Sequence, residues 1–146
     1  MLSGMVQSNF HLLPLLVLIH QFVTFALFGL IWTIQLVHYP SFHFINENEF
    51  SKFEKFHSTK ISWVVAPLMI AELFLSIAFL YLTEFSPLYS FLFLVVLFIW
   101  ISTFTLSVPC HKKLSLGKDS KTIDQLVKTN WIRTILWSLK SLILCL

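Results

Sequence analysis

The sequence predicts an all-α fold: an integral membrane four-helix bundle, one domain over residues 1–146, with a short interfacial amphipathic helix between helices one and two. Three observations point there. The chain is 57% hydrophobic and 12% charged, with mean hydropathy +0.81, whereas soluble domains carry roughly 25% charge. Four stretches each reach the roughly 20 residues that cross about 30 Å of hydrocarbon. The lysines cluster in two connections. Seven acids and ten bases cannot cover a soluble core of this length, whereas lipid accepts the sixteen phenylalanines directly. The small net charge of +3 forms no basic stripe with interleaved aromatics, so no nucleic-acid partner is expected.

The first span is predicted over 12–37. The segment before it, MLSGMVQSNFHLL, has no Lys or Arg and no small-residue cleavage site, so the helix is expected to be retained. In SFHFINENEFSKFEKFHSTK, Asn46 and Glu49 make a cap-like pair, and Phe50, Phe53 and Phe56 recur at helical spacing. That pattern predicts the interfacial helix. The second span, 61–82, ends at Thr83-Glu84-Phe85-Ser86-Pro87, a tight turn whose proline suits the start of the third span, 88–108. A polar connection, CHKKLSLGKDSKTIDQL, leads to the fourth, 127–146, with Ser120 to Leu126 as its polar start.

Lys52, Lys55, Lys60, Lys112, Lys113, Lys118, Lys121 and Lys128 all lie in the first and third connections. The positive-inside rule then puts those connections in the cytoplasm and both termini outside; QLVHYP and the loop after it resemble small bacterial membrane proteins, which implies a bacterial inner membrane. Cys110 and Cys145 fall on opposite faces, which excludes an intrachain disulfide.

At 100° per residue, His20, Thr24, Ile31, Gln35 and His38 share a sector of about 60° on the first helix. Met69, Glu72 and Ser76 share a face of the second, with Ser62; Trp100, Thr103 and Ser107 share one of the third; Asn130, Arg133, Trp137 and Lys140 share one of the fourth. Ionisable groups inside a bilayer normally face a bundle interior and find a partner. Counting about 1.5 Å per residue from the cytoplasmic ends, Glu72 lies about 18 Å deep and Lys140 about 20 Å, so a buried ion pair is expected. The rival reading lets Lys140 snorkel outward.

At the cytoplasmic rim the four helices carry His38, His57, His111 and Arg133, the candidate catalytic groups, with Gln35, Tyr39, Asn130 and Trp131 as candidate ligand-binding residues. The competing explanation is that His, Trp and Tyr simply favour headgroup depth. Neutral imidazole with an arginine and a tyrosine suits an aromatic or quinone ligand, polarising an oxygen and moving a proton. Paired imidazoles could instead hold a haem. Glu54-Lys55-Phe56-His57 has E-x-x-H spacing, but a di-iron bundle needs a second such pair, so no metal is assigned. No P-loop, nucleophile elbow or HExxH is present.

The stretch VPCHKKLSLGKDSKTIDQLVKTNWIRT resembles the C-terminal half of the small four-helix membrane proteins grouped with the anthrone-oxygenase-like family. Pro109, Leu114, Trp131 and Arg133 match that family's Pro-x-Asn-x-x-Leu element and following Trp and Arg, and His111 stands at the Asn position. The resemblance implies a membrane helical bundle, and an oxygenase acting on a polycyclic phenol without an obvious cofactor. The function expected is therefore a redox or oxygenase-like enzyme on an apolar ring. Its alternatives are a haem or quinone carrier and a structural or accessory membrane subunit.

Overall fold

In a computed structural model the backbone is described from Leu2 to Leu146 and side chains from Leu13 onward. The reading of the N-terminal segment as retained falls on side chains outside that range. Helix α1 (Leu2–Thr33) passes into a five-residue π-helical segment (Ile34–His38), then α2 (Tyr39–Ser41) and a 3₁₀ turn (Phe42–Phe44). Next come α3 (Glu47–Leu82), α4 (Pro87–Ser102), a second π-helical segment (Thr103–Ser107), α5 (Val108–Leu114) and α6 (Ser120–Leu144). Among the described residues there is no strand.

Three continuous rods are long and apolar enough to cross a membrane: Leu13–Phe44, Glu47–Leu82 and Pro87–Leu114. At 1.5 Å per residue they are about 40–55 Å long. The fourth helix, α6, is less apolar because Asn130, Arg133 and Lys140 stand along it, all three buried. Helix α1 packs on α3 and α6, and α4 packs on α3 and α6, so the four long helices close a cycle. Polar groups are enclosed and apolar ones face out: Phe22, Phe74, Phe98 and Ile135, one on each rod, are 58–68% exposed. That inversion suits an apolar solvent.

Two boundaries differ from the sequence reading for one physical reason. The first and third helices do not end at Val37 and Val108 but continue through π-helical turns, closed by Tyr39 N–H to Ile34 O and Val108 N–H to Thr103 O. Pro40 and Pro109 each follow such a turn. A proline has no N–H for the preceding turn and its ring presses on the carbonyl four residues back, here Leu36 and Thr105. Widening the turn by one residue relieves that clash without ending the helix.

The separate interfacial helix is a correction. Its residues are the first turns of a single α3, because no Gly or Pro interrupts the chain from Glu47 to Pro67. Asn46 does cap it, its side chain accepting from Asn48 N–H at 3.1 Å. The phenylalanine face turns inward rather than to lipid. Phe50 and Phe53 lie edge-on to Phe42 at 6.1 and 5.4 Å, over Leu114, Ile123 and Leu126, and only Phe56 is exposed.

The third connection is cross-tied to the first. Lys118 donates to His43 O and Ile45 O, both at 2.7 Å. Asp119 caps α6 through Lys121 N–H and holds Lys113 at 2.5 Å; that hydrogen bond, then the one from Thr122, lowers its carboxyl pKa to about 2. Cys110 is buried, Cys145 is exposed, and both are free thiols.

The α3–α4 turn puts Glu84 at φ 50° and Phe85 at φ 59°. Left-handed backbone disfavours side chains with a Cβ. Glu84→Gly is therefore expected to stabilise the protein by up to about 1 kcal/mol, read as a higher melting temperature in detergent.

Candidate functional site

Residues of both π-helical segments line one cleft, and the first segment decides which side chain of its rod points in. The widened turn after Thr33 sets the chain back by roughly one residue of rotation. Tyr39, 4% exposed, thus takes the inward direction a straight helix would give His38. His38 is half-buried and turned towards α3.

Tyr39 is the hub. Its hydroxyl lies 3.0 Å from His111 Nε2 and accepts from Arg133 Nη2 at 3.3 Å. His111 Nδ1 lies 2.6 Å from Glu54 Oε1, a carboxylate with no solvent exposure. His38 Nε2 meets His57 Nδ1 at 2.7 Å, and the His57 and His111 ring centres are 5.6 Å apart. On the other side, Arg133 Nε donates to Asn130 Oδ1 at 3.1 Å and Nη2 donates to the same oxygen, while Nη1 reaches Thr103 Oγ1 at 3.5 Å. Asn130 Nδ2 donates to Gln35 Oε1 at 2.8 Å, and Gln35 Nε2 to Val127 O at 3.2 Å.

The geometry brings these residues to one place in two hydrogen-bonded sets: His111, Tyr39, Arg133, Asn130 and Gln35, joined with Glu54, and the His38–His57 pair packed beside His111. Trp131 is a correction. It is 39% exposed and lies edge-on to Trp32 at 5.7 Å, because a residue two before an inward arginine sits about 200° away on the helix. Glu54 is the member that sequence reasoning passed over. The signal was its E-x-x-H spacing with His57, set aside because di-iron chemistry needed more ligands.

One placement of hydrogens satisfies these contacts. Tyr39 oxygen accepts from Arg133, so its own proton is free for His111 Nε2; His111 Nδ1 then carries the hydrogen given to Glu54. Hydroxyl, imidazole and carboxylate stand in the order of a nucleophile–base–orienter set. His38 Nε2 and His57 Nδ1 are not spaced for an iron between those two nitrogens. An iron between two imidazoles separates their ligating nitrogens by about 4 Å, whereas His38 Nε2 and His57 Nδ1 are bonded to each other at 2.7 Å.

A cleft of about 240 Å³ runs beneath this network. Its walls are mainly Leu27, Ile31, Val65, Met69 and Phe104, and its polar end holds Tyr39, His111 and Arg133. Trp100 lines it too, with an indole N–H that is buried and has no protein partner. Trp137 lines it as well. Arg133 is 5% exposed, and its acceptors among the described residues are all neutral: Asn130, Tyr39 and Thr103.

A second polar layer lies deeper. Lys140 Nζ meets Glu72 Oε1 at 2.8 Å, both fully buried, and Trp137 Nε1 donates to Glu72 Oε2 at 2.9 Å. Thr24 and Ser76 complete the set at 3.4 and 3.5 Å. Trp137 thus touches both the cleft and the deep pair. Compared with family models, with curated proteins and with solved structures, the chain matches none.

Proposed function

We propose that this is an integral membrane enzyme, redox or oxygenase-like, that binds an apolar ring, a phenol or a quinone, by polarising its oxygen and moves a proton there. The observation that carries the reading is the buried Arg133, without a carboxylate partner among the described residues, at the polar end of an apolar cleft. A guanidinium in that position is incomplete until something supplies negative charge, and a phenolate or a polarised quinone oxygen does so. Tyr39 and His111 stand beside it to take the proton, with Glu54 holding the imidazole. Loss of that proton is the step that makes such a ring readily oxidised, which is how an oxygenase-like activity would use the site. The lipid bilayer would be both solvent and source for so apolar a substrate.

The test uses the tryptophans of the cleft. Titrating the detergent-purified protein with a short-chain quinone should quench fluorescence from Trp100 and Trp137 saturably. Saturable quenching that persists unchanged in Trp100→Phe and Trp137→Phe would place the ligand elsewhere and remove the reading.

The orientation we propose has both termini outside the cytoplasm, from the eight lysines of residues 52–60 and 112–128; the membrane we propose, from the resemblance of QLVHYP and the loop after it, is a bacterial inner one. Single cysteines placed in a background lacking Cys110 and Cys145 should label from outside at Glu84 and at the C-terminus. Labelling of residues 112–121 from outside only would reverse it.

A further inference from the structure

Two buried polar atoms in the network have no protein partner: Glu54 Oε2 and His57 Nε2. They sit one helical turn apart on α3, and both flank His111, whose ring centre is 5.6 Å from that of His57 and whose Nδ1 is 2.6 Å from Glu54 Oε1. Everything on either side of them is already connected. From the cleft inward, Tyr39, His111 and Glu54 are joined at 3.0 and 2.6 Å; from the surface inward, His38 and His57 are joined at 2.7 Å. The unpartnered atoms belong to the inner members of the two chains, Glu54 and His57.

We infer that one ordered water bridges Glu54 Oε2 and His57 Nε2 and completes a proton path from the cleft at Tyr39 to the half-exposed His38. The inference rests on the reading of the cleft as a ring-oxygen site. A water in a buried polar gap needs at least two partners, and here it donates one hydrogen to the carboxylate and one to the bare imidazole nitrogen. That assignment leaves His57 Nδ1–H to donate to His38 Nε2, and satisfies every atom of the path with neutral imidazoles. His38 opens on an outer groove lined by Leu30, Phe53, Phe56 and Val64 together with Thr33 and the exposed Lys60, and its remaining N–H leaves the bundle there.

The protons balance. A substrate hydroxyl gives its proton to Tyr39 oxygen as Tyr39 gives its own to His111 Nε2, and His111 passes its Nδ1 proton to Glu54. Glu54, now protonated on Oε1, turns about its Cγ–Cδ bond to present that proton to the water; the water gives one to His57 Nε2, His57 one to His38, and His38 one to solvent. One proton enters and one leaves, with no electron moved. The same path run backwards reprotonates the product oxygen and restores each tautomer.

The experiment needs no substrate, so its failure is separate from failure of the cleft reading. Full-length protein labelled with ¹⁵N-histidine in detergent micelles is read by NMR for the His111 tautomer and for exchange of its ring N–H with deuterated solvent. The path predicts an Nδ1–H tautomer in the native protein. It also predicts that His57→Phe, which keeps ring volume, slows exchange of that hydrogen at least about tenfold, since exchange must then wait for local opening. An Nε2–H tautomer at His111 overturns the path without any variant. An unchanged exchange rate in His57→Phe overturns it as well.

Discussion

Glu72→Gln and Lys140→Met are each expected to destabilise the protein by about 3–5 kcal/mol, and the double change to recover part of the loss. The two charged groups meet at 2.8 Å with no solvent exposure, and removing one leaves the other in an apolar interior with hydrogen bonds alone to hold it. In Lys140→Met, Glu72 would keep Trp137 and Thr24; in Glu72→Gln, Lys140 would keep Ser76 at 3.5 Å and the amide oxygen of the glutamine. Each single change leaves one buried ion with neutral partners only, so both should lower stability. The pair replaced together by neutral groups loses attraction but also loses the desolvation penalty of two ions. Thermal unfolding in detergent of the three variants reads the coupling directly. Losses that simply add would mean the groups do not interact in the folded protein.

The pair was legible because depth along a membrane helix is arithmetic. About 1.5 Å per residue from each helix end placed Glu72 and Lys140 at matching depth, and two lone ions at one depth imply each other. The polar faces of the helices were legible in the same way, from a 100° repeat. What the sequence did not disclose comes from departures from that repeat. The π-helical turn before Tyr39 rotates the rest of the rod, which sends Tyr39 inward and leaves His38 half-exposed, and nothing local says how Pro40 will be accommodated. The amphipathic Phe50–Phe53–Phe56 pattern was read as a lipid-facing helix. The same pattern serves a helix that packs on its own chain, and only the Phe42 contacts decide between them. Glu54 stands out in the sequence only through its E-x-x-H spacing with His57, and the spacing does not disclose that the fold leaves it without exposure beside His111.

Arg133→Lys is expected to weaken binding of a quinone analogue by about 1.5–3 kcal/mol, roughly ten- to a hundredfold, with little change in melting temperature. The guanidinium spans three acceptors at once, Asn130, Tyr39 and Thr103, and still faces the cleft. An ammonium keeps the charge and can reach Asn130, but it cannot hold Tyr39 and a ligand oxygen in one plane. Losing the Tyr39 contact also frees the Tyr39 oxygen, so the hydroxyl no longer has to direct its proton at His111. His111→Ala should weaken proton transfer more than binding, since His111 touches the cleft but stands behind Tyr39 as its base. Equal affinity in Arg133→Lys and the native protein would mean that the guanidinium serves only to brace Asn130 and Gln35.

The central claim is that the cleft binds a ring oxygen as an anion beside Arg133, and a chromogenic phenol tests it most directly. A nitrophenol whose phenolate is coloured, added to the detergent-purified protein at a pH where the free probe is mostly protonated, reports its own ionisation when bound. The account predicts a saturable phenolate band with the native protein, strongly reduced in Arg133→Lys and in Tyr39→Phe. A bound probe that stays neutral, or a phenolate band of the same size in all three proteins, would contradict it.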